Sequence, residues 1–136
     1  MALTPLVTLC FPTRDLRAAA RFYREGLGLP YSTQVAEGEL PEPVAFALNH
    51  GVHLMLIPTG GFGWVAGGHT VASPGVSECI VDLALARASD VDALVERART
   101  AGGTIVGEGA MHEWGYSATF EDLDGHLWTL TVPPQA

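Results

Sequence analysis

The sequence lacks any apolar run of the ~20 residues that a membrane-crossing helix needs. The opening Met-Ala-Leu-Thr-Pro has neither a basic region nor a long apolar core. We therefore expect no signal peptide, no membrane partner and a cytoplasmic location. Cysteine is scarce: Cys10 and Cys79 stand alone in apolar, strand-like runs, with no CxxC and no metal-ligand spacing. That pattern predicts two buried thiols and no disulfide. Basic residues are few, 7 Lys+Arg against 15 Asp+Glu, for a net charge of −8. Such a chain repels phosphate backbones, which argues against nucleic acid as a partner. The acidity suits solubility and is compatible with a cationic ligand. There is no Ser/His/Asp order, no GxSxG and no phosphate loop.

What is present is a chain of 136 residues, 48% hydrophobic, long enough for one domain with a sizeable core. The most informative stretch runs from Phe120 to Leu130. It reads as strand, tight turn, strand. Asp122-Leu123-Asp124-Gly125 is the turn, because Asp side chains accept from nearby amides and Gly tolerates positive φ. In the strand that follows, Trp128, Leu130 and Val132 alternate with Leu127, Thr129 and Thr131. A ligand site built on this hairpin lies on the Thr129 face.

The remainder divides into two similar halves. Leu3 to Phe11 predicts a strand, Leu16, Ala19, Ala20, Tyr23 and Leu27 a helix to about Gly26, capped by Thr13 or Asp15. Strands follow at Tyr31 to Ala36, Val44 to Leu48 and Val52 to Ile57, the last two joined through Asn49-His50-Gly51. Pro58 to Gly75 is Gly-rich and carries Phe62, Trp64 and His69; it reads as a linker, a lid, or both. In the second half Val76 to Leu85 predicts a strand. Ser89 with Asp92 resembles a capping box opening a helix with the stripe Val91, Leu94, Val95 and Ala98. Gly102-Gly103 ends it. Thr104 to Val106 reads as a strand, Gly107 to Gly115 as a loop, and the hairpin closes the chain. Two β-α-β-β-β halves, whose helix starts Asp15 and Asp90 lie 75 positions apart, suggest an internal duplication. Module one spans about 1–58, a linker about 59–75 and module two about 76–133.

Taken in order, Asp15-Leu16, Phe22-Tyr23, Gly26-Leu27-Gly28-Leu29, Val91-Asp92-Ala93-Leu94, Ala101-Gly102-Gly103, Trp114-Gly115-Tyr116 and Asp122 to Trp128 resemble the vicinal oxygen chelate superfamily. This group holds glyoxalases, extradiol dioxygenases, and fosfomycin and bleomycin resistance proteins. The resemblance implies an α+β fold of two βαβββ modules, a curled mixed sheet around a concave pocket with helices outside, and a homodimer.

Enzymes of this group hold a divalent metal through His, Gln or Glu, which polarises vicinal substrate oxygens. The resemblance places the four ligand slots at Thr8, Met55, near Ile80 (uncertain by a residue or two) and Thr129. Hydroxyl, thioether and alkyl groups cannot hold such an ion. The expectation is therefore no metal and no cofactor. His53 shares a strand face with Met55, and Glu78 and Asp82 share one with Ile80, so a displaced His/Glu/Asp cluster is the alternative; strand-end roles for His53 and Glu78 are the simpler reading. The leading function is metal-free binding of a small molecule, cationic or aromatic, as in the bleomycin resistance proteins. Phe46, Trp64, Trp114 and Tyr116 would supply flat surfaces, and Glu78, Asp82 and Glu113 would meet a cation. The alternative is a lyase, isomerase or dioxygenase using displaced metal ligands or acid–base residues, with His53 and Glu78 as suspects. A third reading is a dimeric interaction module that has lost its site.

Overall fold

A computed structural model describes residues 1–134 and shows an α+β chain with two sheets, of three and four strands, neither closed into a barrel. Backbone contacts divide it into two compact units, Met1–Val71 and Ala72 onward.

The first unit opens with β1 (Val7–Thr13), followed by α1 (Leu16–Arg21). Asp15 is the cap: its Oδ1 accepts from the amide of Ala18 at 3.0 Å. Thr13 supports the turn instead, its Oγ1 accepting from the Asp15 amide. The expected helix reaches Gly26 only as a π turn over Phe22–Gly26, closed by the Leu27 amide on the Phe22 carbonyl at 2.9 Å. Phe22 and Tyr23 are both buried there. Next come β2 (Val44–Ala47) and β3 (Val52–Pro58), in the order β1-β3-β2, with β1 parallel and β2 antiparallel to β3. Alternation along β3 buries Leu54 and Leu56 and leaves His53, Met55 and Ile57 on the other face.

Two expectations for this unit fail. Tyr31 to Ala36 is not a strand: Tyr31 forms a single bridge to Phe46, and the chain leaves β2 after Ser32 donates to Ala45. The run then turns at Ala36–Glu39, where Gly38 takes φ +80°. Within the Gly-rich segment, Thr59–Val65 forms helix α2. Thr59 Oγ1 donates to the Thr13 carbonyl at 3.1 Å, tying the helix start to the end of β1. Cys10 is exposed, since it pairs with Met55 on the face opposite Leu54 and Leu56.

The second unit contains β4 (Ile80–Ala84), α3 (Ala88–Thr100), β5 (Thr104–His112), β6 (Gly115–Glu121) and β7 (Leu127–Val132), in the sheet order β4-β7-β6-β5. Val91, Val95 and Ala98 of α3 are buried, together with Val81, Ala118, Phe120, Trp128 and Leu130 of the sheet. Phe120 and Trp128 are cross-strand partners with parallel rings, 6.2 Å between centroids. The turn between β6 and β7 is as expected. Asp122 Oδ1 accepts from the amides of Asp124 and His126 at 2.9 and 2.8 Å, and Gly125 has φ +82°.

Here too the sequence reading needs correction. β4 begins only at Ile80, because Ser73–Val76 forms a turn whose Gly75 lies against Gly125. Cys79, ahead of the strand, is exposed. Ser89 and Asp92 form no capping box: the helix already starts at Ala88, so Ser89 is inside it, and Arg87 Nε meets Asp90 Oδ2 at 3.3 Å. The expected loop from Gly107 is strand β5 running on to His112, its pairing with β6 shifted between Ile105 and Gly107 and again between Gly107 and Ala110.

Candidate functional site

One face of the second sheet packs on α3; the other carries Asp82, Gly107, Ser117, Thr119, Thr129 and Thr131. The pairings Asp82–Thr129, Ser117–Thr131 and Thr119–Thr129 fix this, because partners in register share a face. With Glu108, His112, Trp114 and Ala118, these residues line a cavity of about 610 Å³. That size falls within the range of small-molecule sites.

Four floor residues form one hydrogen-bonded chain. Thr129 Oγ1 and Thr131 Oγ1 both reach Asp82 Oδ1, at 2.6 and 2.7 Å. Ser117 Oγ lies 3.2 Å from Thr131 Oγ1. Two aromatic rings stand at the β5–β6 end. His112 and Trp114 stack in parallel, 4.5 Å between centroids and 2° between planes, and the indole is 59% exposed. Glu108 is engaged elsewhere: both its oxygens accept from Arg99 Nη2 of α3, at 2.7 and 2.9 Å. With Glu96 this carboxylate holds the Arg99 guanidinium above its usual pKa, chiefly through the bond to Glu108.

The residues expected from the sequence scatter. Thr129 and Trp114 line the cavity. Ile80 pairs with Leu127, and the β4 residue beside Thr129 is Asp82. Glu78 is exposed ahead of β4, outside the strand. Thr8, His53 and Met55 share one face of the first sheet, with Thr8 registered on His53. Phe46, in contrast, is fully buried in the first unit's core, 5.8 Å from the Tyr23 ring and 5.1 Å from Tyr31. Trp64 is 85% exposed on α2. Glu113 is exposed in the β5–β6 turn. Tyr116 faces away from the cavity and donates its hydroxyl to Asp92 Oδ1 of α3 at 2.7 Å. Thr131, Ser117 and His112 are cavity residues the sequence reading missed. Thr131 was recoverable, since strand alternation puts it beside Thr129.

Of the positions that the resemblance implies for metal ligands, Thr8 and Met55 lie on one face of the first sheet, and in the second sheet Ile80 pairs with Leu127 and Thr129 with Asp82. Hydroxyl, thioether and alkyl groups are poor ligands for a divalent metal. Elsewhere, Asp122, Asp124 and His126 bring ligand-type atoms within 4.8 Å of one another. There Asp122 Oδ1 is already bonded to two amides that close the turn.

Comparison with known proteins places this geometry in context. A structure of a hypothetical protein, SA1046 from S. aureus, matches with a TM-score of 0.80 and 25% identity, covering 96% of this chain and 95% of that one. A glyoxalase-related enzyme from Fulvimarina pelagi matches with a TM-score of 0.81 and 25% identity, covering 97% and 90%. TnmS3, an antibiotic binding protein from Streptomyces sp. CB03234, matches with a TM-score of 0.66 and 22% identity, covering 98% and 99%. No curated protein matches the sequence significantly. The family model described as Glyoxalase/Bleomycin resistance protein/Dioxygenase superfamily matches residues 6–130. The sequence motifs, the strand orders and this match agree, and the chain belongs to the glyoxalase/bleomycin resistance protein/dioxygenase superfamily.

Proposed function

We propose that this chain is a small-molecule binding protein that holds a planar ligand in the second unit's cavity without a metal. The observation that carries this reading is the His112–Trp114 stack beside a polar floor. An indole left 59% exposed, parallel to a second ring, is a ready-made stacking surface. Binding would cover apolar area that otherwise faces water. The floor beneath it holds one carboxylate, Asp82, that takes part in no ion pair among the described residues. Aromatic and cationic ligands are therefore the class to test. TnmS3, an antibiotic binding protein, has the same fold, so the architecture serves ligand binding in at least that protein.

The test is a thermal-shift panel of planar cations, neutral aromatics and glutathione conjugates, followed by calorimetry before and after treatment with a chelator. We expect a melting temperature that rises with ligand concentration as binding linkage requires. Affinity should not change on chelation, and mass spectrometry should recover the ligand unaltered. Affinity lost to the chelator would overturn the metal-free reading, and a converted ligand would establish an enzyme instead.

A further inference from the structure

The hydrogen bonds of the cavity floor have a direction, and it restricts what can bind. A carboxylate accepts only, and a threonine hydroxyl has one proton. Thr129 and Thr131 both bond to Asp82 Oδ1, so both of their protons point at it. The contact between Ser117 and Thr131 is then settled as well. Thr131 has no second proton to give, so Ser117 donates to Thr131. The protons run Ser117 to Thr131 to Asp82, with Thr129 joining from the other side. Each of these three hydroxyls has spent its donor inside the network and turns only lone pairs outward. Asp82 Oδ2 accepts no bond from any described residue. Glu108, the other acidic group lining the cavity, is already held by Arg99. Thr119 is the lining hydroxyl outside the network; its uncommitted hydroxyl can donate or accept, so it selects for neither donors nor acceptors.

We infer that Asp82 and its hydroxyl chain form an acceptor-only patch that selects ligands presenting N–H donors, so that Asp82 is the specificity-determining residue of the cavity. This rests on the binding reading above. A cation without donors would gain the Coulomb attraction to Asp82 but no hydrogen bond to Oδ2. An acceptor placed against the patch would meet lone pairs with no proton between, and would leave a buried polar atom unsatisfied.

Three planar tricycles of similar outline separate these terms. At neutral pH 9-aminoacridine is a cation with N–H donors, 10-methylacridinium is a cation with none, and acridine is neutral with one acceptor nitrogen. Calorimetry on the full chain should give 9-aminoacridine the tightest binding, by about tenfold or more over 10-methylacridinium, as a charge-assisted hydrogen bond implies. In Asp82→Asn the amide oxygen still accepts from Thr129 and Thr131, but the amide nitrogen replaces Oδ2 and donates. The advantage of 9-aminoacridine should vanish, while acridine binds as well as before or better. Circular dichroism and the melting curve report whether the variant is folded; the wild-type comparison stands without it. Equal affinity of the two cations for wild type, or equal weakening of both in folded D82N, overturns the donor selection and leaves the binding reading intact. Failure of all three probes to bind overturns both.

Discussion

The hydroxyl of Tyr116 donates to Asp92 Oδ1 at 2.7 Å, joining the start of β6 to α3 across strand β5. That bond holds the Tyr116 phenol above its ordinary pKa of 10.0, with burial and the negative charge of Asp92 adding in the same direction. The sign of the linkage follows. A pKa raised on folding stabilises the protonated folded state, so this stabilisation is fully present below pH 10 and is lost as pH climbs through the higher folded value. Ultraviolet titration of the phenols should show a late component that is absent in Tyr116→Phe. The melting temperatures of wild type and variant should converge at strongly alkaline pH.

Gly109 is what lets this bond cross the strand. A Cβ at that position would strike both the Asp92 carboxylate and the Tyr116 hydroxyl. Those atoms end side chains that can swing away, so Gly109→Ala should fold, with the late phenol titration abolished and the melting temperature lowered modestly. Gly115 is different. Its φ is +120°, and a Cβ there would strike the backbone carbonyl of Val132, which cannot move without breaking β6 from β7. Gly115→Ala should cost about 2 kcal/mol or more, read by denaturant unfolding, and should loosen the Trp114 end of the cavity.

Two tryptophans sort by burial into opposite roles. Trp128 is fully buried and stacked on Phe120, whereas Trp114 is 59% exposed on His112. Trp128→Ala removes a core ring and should lower stability by about 3–5 kcal/mol. Trp114→Ala should leave stability within about 0.5 kcal/mol. It should nonetheless weaken 9-aminoacridine by roughly 1 kcal/mol, the scale of an aromatic stacking contact. A large fall in melting temperature with unchanged affinity would mean that Trp114 braces the hairpin rather than meeting a ligand.

The closing hairpin was legible in the sequence because each of its signals is local. Asp122 and Gly125 specify the turn, and alternation separates Trp128 and Leu130 from Thr129 and Thr131. The family followed from the order of such local motifs. What stayed hidden depends on pairing. Tyr31 to Ala36 has strand-forming residues, but only the Tyr31 bridge and the Ser32 amide reach β2. Gly107 looks like a loop residue until it pairs with Thr119 of β6, and Gly109 falls in the irregularity that follows. Asp82 could not be set beside Thr129 from sequence, because the register of β4 against β7 is a tertiary property. Phe46 and Tyr116 lie outside the cavity for the same reason. Composition says that Phe46 and Tyr116 are flat, but not that one is core and the other bound to a helix.

The Asp122 carboxylate tests whether the turn depends on charge or on an acceptor. Its Oδ1 takes the amides of Asp124 and His126 while the residue is buried. Removing it leaves two backbone N–H groups without that partner, at about 1–3 kcal/mol for each one that water cannot reach. Asp122→Ala should therefore be clearly destabilised in urea. Asp122→Asn supplies a carbonyl oxygen in the same place and should recover most of the loss. Urea unfolding of the two variants gives the comparison. If Asn were as damaging as Ala, the negative charge itself, not the pair of amide bonds, would be what holds the hairpin closed.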